Sequence, residues 1–172
     1  GIHKEGDYAN KVNIGTFIGE ILNEESLNNL NNNYIIAEIN IEEKDVNKNI
    51  RIINSYDECM RLFPDSPKFR KDDRYRNEDE IKKCEIRINE ELIPFNYEHK
   101  FNEKGKYIIK YLFKKNINNI CLLFYRCSSL TKINLSNFNT NNLSNINGLF
   151  SGCSSLTNIN LSNFNTNNVN DM

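Results

Sequence analysis

The sequence predicts a mostly β protein. We expect an N-terminal helix, then a small β-rich capping domain, and then a leucine-rich-repeat solenoid. The solenoid has two visible 26-residue repeats and is truncated. Three observations support this fold class: a long internal repeat, three stretches of alternating apolar residues before it, and a sharp change of composition. Only Lys132 and Asp171 are charged among residues 127–172, whereas the other 43 of the 45 charges precede them. We therefore expect a linker at residues 1–33, the capping domain at residues 34–114 and the repeats at residues 115–172.

The repeat appears when residues 127–145 are aligned with residues 153–171, since 15 of the 19 positions are identical. Within the first unit, the spacing Leu130-x-x-Ile133-x-Leu135-x-x-Phe138 is typical of leucine-rich repeats. Ile133 and Leu135 alternate, so both should point inward from a short strand. A single unit buries only one thin layer of apolar side chains, so we expect stacked units.

The run LFSGCSSLTNINLSNFNTNNVNDM at residues 149–172 makes the resemblance more specific. Together with the first unit, it is similar to the BspA-like leucine-rich-repeat proteins over about residues 120–172. Many of those proteins are surface or secreted proteins of bacteria and protists. The resemblance implies a role in adhesion and protein binding, and it brings no catalytic motif.

The candidate binding surface consists of the polar side chains that alternate with the apolar ones. On these grounds the leading hypothesis is a non-enzymatic module that binds a protein or glycan ligand through stacked strands. Asn134 and Asn160 also begin Asn-x-Ser sequons, and a glycan at both would cover this surface. The predicted binding residues are Lys132, Asn134, Ser136, Asn158, Asn160 and Ser162.

The segment before the repeats contains further elements. Apolar residues at helical spacing predict an amphipathic helix over residues 14–30, and Ile-rich runs predict strands at residues 34–41 and 49–53. Ser55 and Glu58 have the spacing of a capping box, which predicts a short helix that ends before Pro64. The charged residues 65–80 indicate an exposed loop.

Alternating stretches at residues 84–88, 93–101 and 107–113 predict a three-stranded antiparallel meander that leads into the first repeat. Such a sheet could cover the apolar end of the solenoid, since terminal repeats need a cap.

Signals for catalysis, metal or cofactor binding are absent from the sequence. His3 and His99 are the only histidines, and the five cysteines form no Cys-x-x-Cys pair. Cys127 and Cys153 occupy equivalent repeat positions, so they are either buried thiols or a disulfide between neighbouring units. Because no phosphate-binding or nucleophile motif occurs, we predict no catalytic residue, no metal site, no cofactor and no enzyme activity.

Charge and hydropathy limit the partners. The formal net charge is −1, so nucleic acid is not an expected ligand, and no apolar run is long enough to insert into a membrane. We expect an extracellular or cell-surface location. Two alternatives stay open: a cytoplasmic scaffold or regulatory arm of a larger signalling protein, which would suit free cysteines, and a structural role in which Asn-rich repeats stack into an assembly.

Overall fold

The computed structural model describes residues 33–65 and 71–170, which all lie in one compact unit, Asn32–Met172. The predicted helix at residues 14–30 lies outside the described residues. The strands are β1 (Tyr34–Ile41), β2 (Asn49–Arg51), β3 (Glu85–Ile88), β4 (Glu91–Ile93), β5 (Glu98–Lys100), β6 (Gly105–Leu112), β7 (Leu130–Asn134) and β8 (Asn158–Asn160). The helices are α1 (Tyr56–Leu62) and α2 (Glu78–Ile81), with single 3-10 turns at Glu43–Asp45 and Asp73–Tyr75.

Six strands form one mixed sheet in the order β4-β3-β6-β1-β7-β8. β1 lies near the middle because its alternating Ile residues bury one face, and it pairs antiparallel with both β6 and β7. β7 and β8 then pair in parallel, with Ile133 beside Ile159. The sheet and its core therefore continue across residues 114 and 115.

The prediction of a leucine-rich-repeat solenoid preceded by a capping domain is wrong. β7 and β8 are instead the last two strands of the mixed sheet that β1, β3, β4 and β6 also build. The physical reason is that β7 satisfies the backbone groups of one of its edges by pairing with β1, from which it is separated by about 90 residues. The local repeat spacing contains no information about such a long-range pairing.

The predicted three-stranded meander is also wrong. β3 does turn tightly into β4, but its other neighbour is β6, and β5 leaves this sheet to pair with β2. Pro94 follows β4 immediately and has no N–H to donate, so the alternating run 93–101 cannot continue as one strand. β5 pairs with β2 as a separate two-stranded sheet in which His99 lies opposite Ile50.

The helix predicted from the capping box is confirmed as α1. The Ser55 side chain accepts a hydrogen bond from the Glu58 backbone N–H at 3.1 Å, and the helix ends at Leu62. By contrast, the prediction of an exposed loop over residues 65–80 is wrong in its second half. This half contains the 3-10 turn Asp73–Tyr75 and the start of α2, and it buries Tyr75 and Asn77.

The two 26-residue units stack in register. Backbone N–H groups of the first unit donate to carbonyls about 25 residues later, as in the bonds from Ile120 to Asn145 and from Phe124 to Leu149. The side chains within this hydrogen-bonded segment differ between the two units, although the sequences of the strands and turns that follow are nearly identical. The first unit carries Cys121, Leu122, Tyr125 and Arg126 where the second has Asn147, Gly148, Ser151 and Gly152.

This difference between the units follows from their surroundings. Leu122 and Tyr125 are buried with Tyr56 and Cys59 of α1, so the first unit is apolar where α1 covers it. Leu122 takes a left-handed backbone conformation with φ of 57°, and its equivalent Gly148 has φ of 60°. Two features favour glycine in the second unit, namely its positive φ and the 2.6 Å that would separate a β-carbon from the Leu122 Cδ2 atom.

Candidate interaction surface

The predicted binding residues converge at the β7–β8 end of the sheet. Because β7 and β8 are parallel, Lys132 lies beside Asn158 and Asn134 beside Asn160. Ile133 between them is only 2% exposed, whereas these four side chains are exposed or half-exposed. The structure therefore places these four predicted residues together on the face opposite the core, and we call them the polar row.

Ser136 and Ser162 lie just beyond β7 and β8, where their backbone N–H groups take part in turns. The Asn134 Oδ1 atom accepts a hydrogen bond from the Ser136 N–H at 2.9 Å, and the Asn160 Oδ1 atom accepts one from the Ser162 N–H at 3.0 Å. These Asx turns use the oxygen of each side-chain amide and fix its orientation. The Nδ2 groups of Asn134 and Asn160 have no acceptor among residues 33–65 and 71–170, so both can donate to a ligand.

Lys132 is tied to a strand that the sequence did not indicate as its neighbour. Its Nζ atom lies 3.2 Å from the Glu38 Oε2 atom, and Glu38 lies directly opposite it on β1. Lys106 approaches the same carboxylate from β6 at 3.7 Å. The polar row thus borders a mixed-charge region, and no local sequence signal could reveal it because β1 and β7 are far apart in the chain.

The same face of the sheet continues over β1 and β6 with half-exposed apolar residues. Ile36 lies opposite Asn134 on one side and opposite Lys110 on the other. Lys110 is 7% exposed, and its Nζ atom lies 4.5 Å from the centre of the Tyr34 ring, a cation–π contact. The sequence did not indicate these residues as part of a surface, because the strands that carry them were predicted only as parts of a capping domain.

The outer edge of β8 leaves apolar side chains exposed. Ile159 is 43% exposed and Leu161 is 46% exposed, whereas their equivalents in the first unit, Ile133 and Leu135, are 2% and 0% exposed. β8 pairs with β7 on one side, and no described strand pairs with its other side. The first unit is covered by the second, and the second presents the same kind of apolar surface outward.

Cys127 is buried and Cys153 is half-buried, and each carries a free thiol, so the alternative of a Cys127–Cys153 disulfide is not realised. Desolvation raises the pKa of Cys59 to about 12 and that of Cys153 to about 11, and it also raises the pKa of Cys127. Such thiols stay protonated at neutral pH and are poor nucleophiles.

The remaining candidate chemistry is limited. Burial lowers the pKa of His99, against a smaller opposing effect of Glu91, and His99 packs edge-on against Phe101 with ring centres 4.7 Å apart. Over the ranges that the structure covers, no group of three or more His, Cys, Asp or Glu side chains could hold a metal ion. Nor does that part of the chain contain a helix long and apolar enough to cross a membrane.

Comparison with known proteins gives one similarity. Residues 94–172, from just after β4 to the end of the second unit, match the family described as Mycoplasma protein of unknown function, DUF285. No curated protein matches the chain. No solved structure matches it either.

Proposed function

We propose that this chain is a non-enzymatic module that binds a protein or glycan ligand, in adhesion or another interaction at the cell surface. The observation that carries the proposal is the pair of Nδ2 donors on Asn134 and Asn160. They lie in register on neighbouring parallel strands, and each is oriented by an Asx turn. The resemblance of the sequence at residues 120–172 to BspA-like proteins implies the same kind of function.

The chemistry of the polar row favours a ligand rich in hydrogen-bond acceptors. Amide groups donate to the hydroxyl oxygens of a sugar or to the carbonyl oxygens of a peptide. Lys132 is the only charged member of the row, and Glu38 partly neutralises it. Electrostatic steering should therefore be weak, and affinity should come from several shared polar contacts.

The test replaces the two donors without disturbing the turns. In an Asn134→Asp, Asn160→Asp variant, the retained carboxylate oxygens still accept from Ser136 and Ser162, but the Nδ2 donors are lost. We expect binding on a glycan array or an array of surface-protein ectodomains to fall about tenfold or more, which corresponds to about 1.4 kcal/mol.

The matched control is Asn142→Asp with Asn167→Asp, which makes the same charge change at exposed positions of the same units. This control should retain the wild-type binding profile. Equal loss in both variants, retention in both, or the absence of any bound ligand on the arrays would contradict the proposal.

A second candidate function is a scaffold or regulatory arm inside the cell. The observation that favours it is that Cys59, Cys84, Cys127 and Cys153 are free thiols, since such thiols are typical of reducing compartments. Shaving intact cells with a protease that does not enter them separates the two locations. A surface module would be cleaved, whereas an intracellular arm would stay intact until the cells are lysed.

A further inference from the structure

A cleft of about 420 Å³ lies where β3 begins and β6 ends, beside the start of the first repeat unit. Its floor is apolar, because Cys84, Phe113 and Ile117 line it and are 3–4% exposed. The volume falls within the range of sites that hold small molecules. None of the polar-row residues lines this cleft, so it is a separate site.

The rim of the cleft is basic. Lys83, Lys114 and Lys115 line it together with a single acid, Glu80. Lys82 next to them is paired with Glu78 at 3.0 Å, but none of the three rim lysines has a carboxylate partner in the described ranges. Most basic residues of the rest of the structure are ion-paired, so this concentration of unpaired cations is local.

An apolar floor beneath unpaired ammonium groups suits a ligand with an apolar chain and an anionic head. Burial of the chain removes apolar surface from water, and the lysines contribute charge-assisted hydrogen bonds to the head. A neutral apolar ligand would gain only the first of these contributions, and a cationic one would be repelled by the rim.

We propose that this cleft binds an apolar carboxylate, of the chemical class of a medium-chain fatty acid. The carboxylate meets the ammonium groups of Lys83, Lys114 and Lys115 at the rim, and the hydrocarbon chain lies between the aliphatic stems of these lysines, above Phe113 and Ile117. The proposal is independent of the polar row, and loss of one site leaves the other intact.

The test titrates the whole chain, labelled at Ile methyl groups, with octanoate and with octanol while methyl NMR spectra are recorded. Octanoate should shift the Ile117 methyl signal in a saturable manner and leave the signal of Ile159, at the exposed β8 edge, unchanged. Octanol should bind about fivefold or more weakly, because surface ion pairs contribute up to about 1 kcal/mol each.

The variant Lys114→Gln with Lys115→Gln should remove most of the advantage of octanoate over octanol, and the retained Lys83 accounts for the remainder. Its matched control is Lys48→Gln with Lys100→Gln, which removes two exposed lysines that lie away from the cleft. Equal affinity for octanol and octanoate, equal weakening in the control, or no saturable shift at Ile117 would each overturn the proposal.

Discussion

Gly148 and Leu122 occupy equivalent positions in successive units and share a left-handed backbone conformation. We expect Gly148→Ala to destabilise the protein by about 1–2 kcal/mol, because a residue with a β-carbon pays this cost at positive φ. Urea denaturation would measure the change in the free energy of unfolding. The exposed neighbour Ser151, changed to Ala, should have little effect and serves as the control.

Two causes contribute to the loss of stability when Gly148 is replaced, namely the positive φ and the contact of a β-carbon with the Leu122 side chain. Gly148→Asn separates them, because Asn tolerates the left-handed region but also carries a β-carbon. Recovery of stability with Asn would identify the backbone conformation as the cause, and no recovery would identify the contact. An Ala variant as stable as the wild type would contradict both explanations.

Asn119 is a second position where one side chain has a large effect. It is 6% exposed, its Nδ2 group donates to the Tyr75 carbonyl at 2.9 Å, and its Oδ1 atom accepts from the Cys121 N–H at 2.9 Å. Asn119→Ala removes both buried bonds, so we expect a loss of about 2–3 kcal/mol in urea denaturation. Asn118→Ala, at an exposed side chain, should cost less than about 0.5 kcal/mol. Similar losses in the two variants would contradict this assignment.

At the scale of elements, Glu78 at the start of α2 connects three parts of the chain. It is bound by Arg61 of α1 and by Lys82, and the Tyr97 hydroxyl donates to its Oε1 atom at 2.7 Å. The Arg61 hydrogen bonds in particular, with smaller help from Tyr97 and Lys82, lower the pKa of Glu78 from 4.5 to about 2.

Because the pKa of Glu78 is lower in the folded state, its contribution to stability is fully present above about pH 4.5. It is lost as the pH falls toward 2. We expect Glu78→Gln to lower the free energy of unfolding by about 1.5–3 kcal/mol at pH 7. The variant should also lose less stability than the wild type between pH 5 and pH 2. Glu80→Gln, at an exposed acid of the same helix, should keep the wild-type pH profile. Urea denaturation at several pH values would measure both, and an unaltered decline in Glu78→Gln would disprove the assignment.

Elements that depend on local signals were the ones that sequence analysis predicted well. The capping box located α1, and the Ile-rich run located β1, because each signal involves neighbours within a few residues. The 26-residue repeat likewise gave the side-by-side placement of Asn134 and Asn160. Pairings between distant segments were not predictable, and they include β1 with β7 and β2 with β5. The Glu38 partner of Lys132 was missed for the same reason.

At the scale of the whole molecule, the two edges of the six-stranded sheet differ in charge. β4 carries Glu91 and follows Glu90, whereas β8 is neutral and exposes Ile159 beside Leu161. An uncharged apolar edge strand has unpaired backbone N–H and C=O groups that can pair with a strand of another chain. We expect Ile159→Lys with Leu161→Lys to reduce concentration-dependent self-association, as measured by sedimentation velocity.

The control for this prediction is Leu92→Lys, which places a charge at an exposed apolar residue on the opposite edge, where Leu92 is 55% exposed. It should leave self-association at the wild-type level. A wild-type chain that stays monomeric at all concentrations, or an equal reduction by Leu92→Lys, would contradict a role for the β8 edge.

The side chains that adapt the first unit to α1 lie at residues 121–126, just before the tract that the two units share. Unequal recombination between gene copies would exchange sequence within that shared tract, because only there is the match long enough. Its products would gain or lose one 26-residue unit, yet each would keep Leu122 and Tyr125 upstream of the junction. The number of units can therefore change during evolution while the contact with α1 is inherited unchanged.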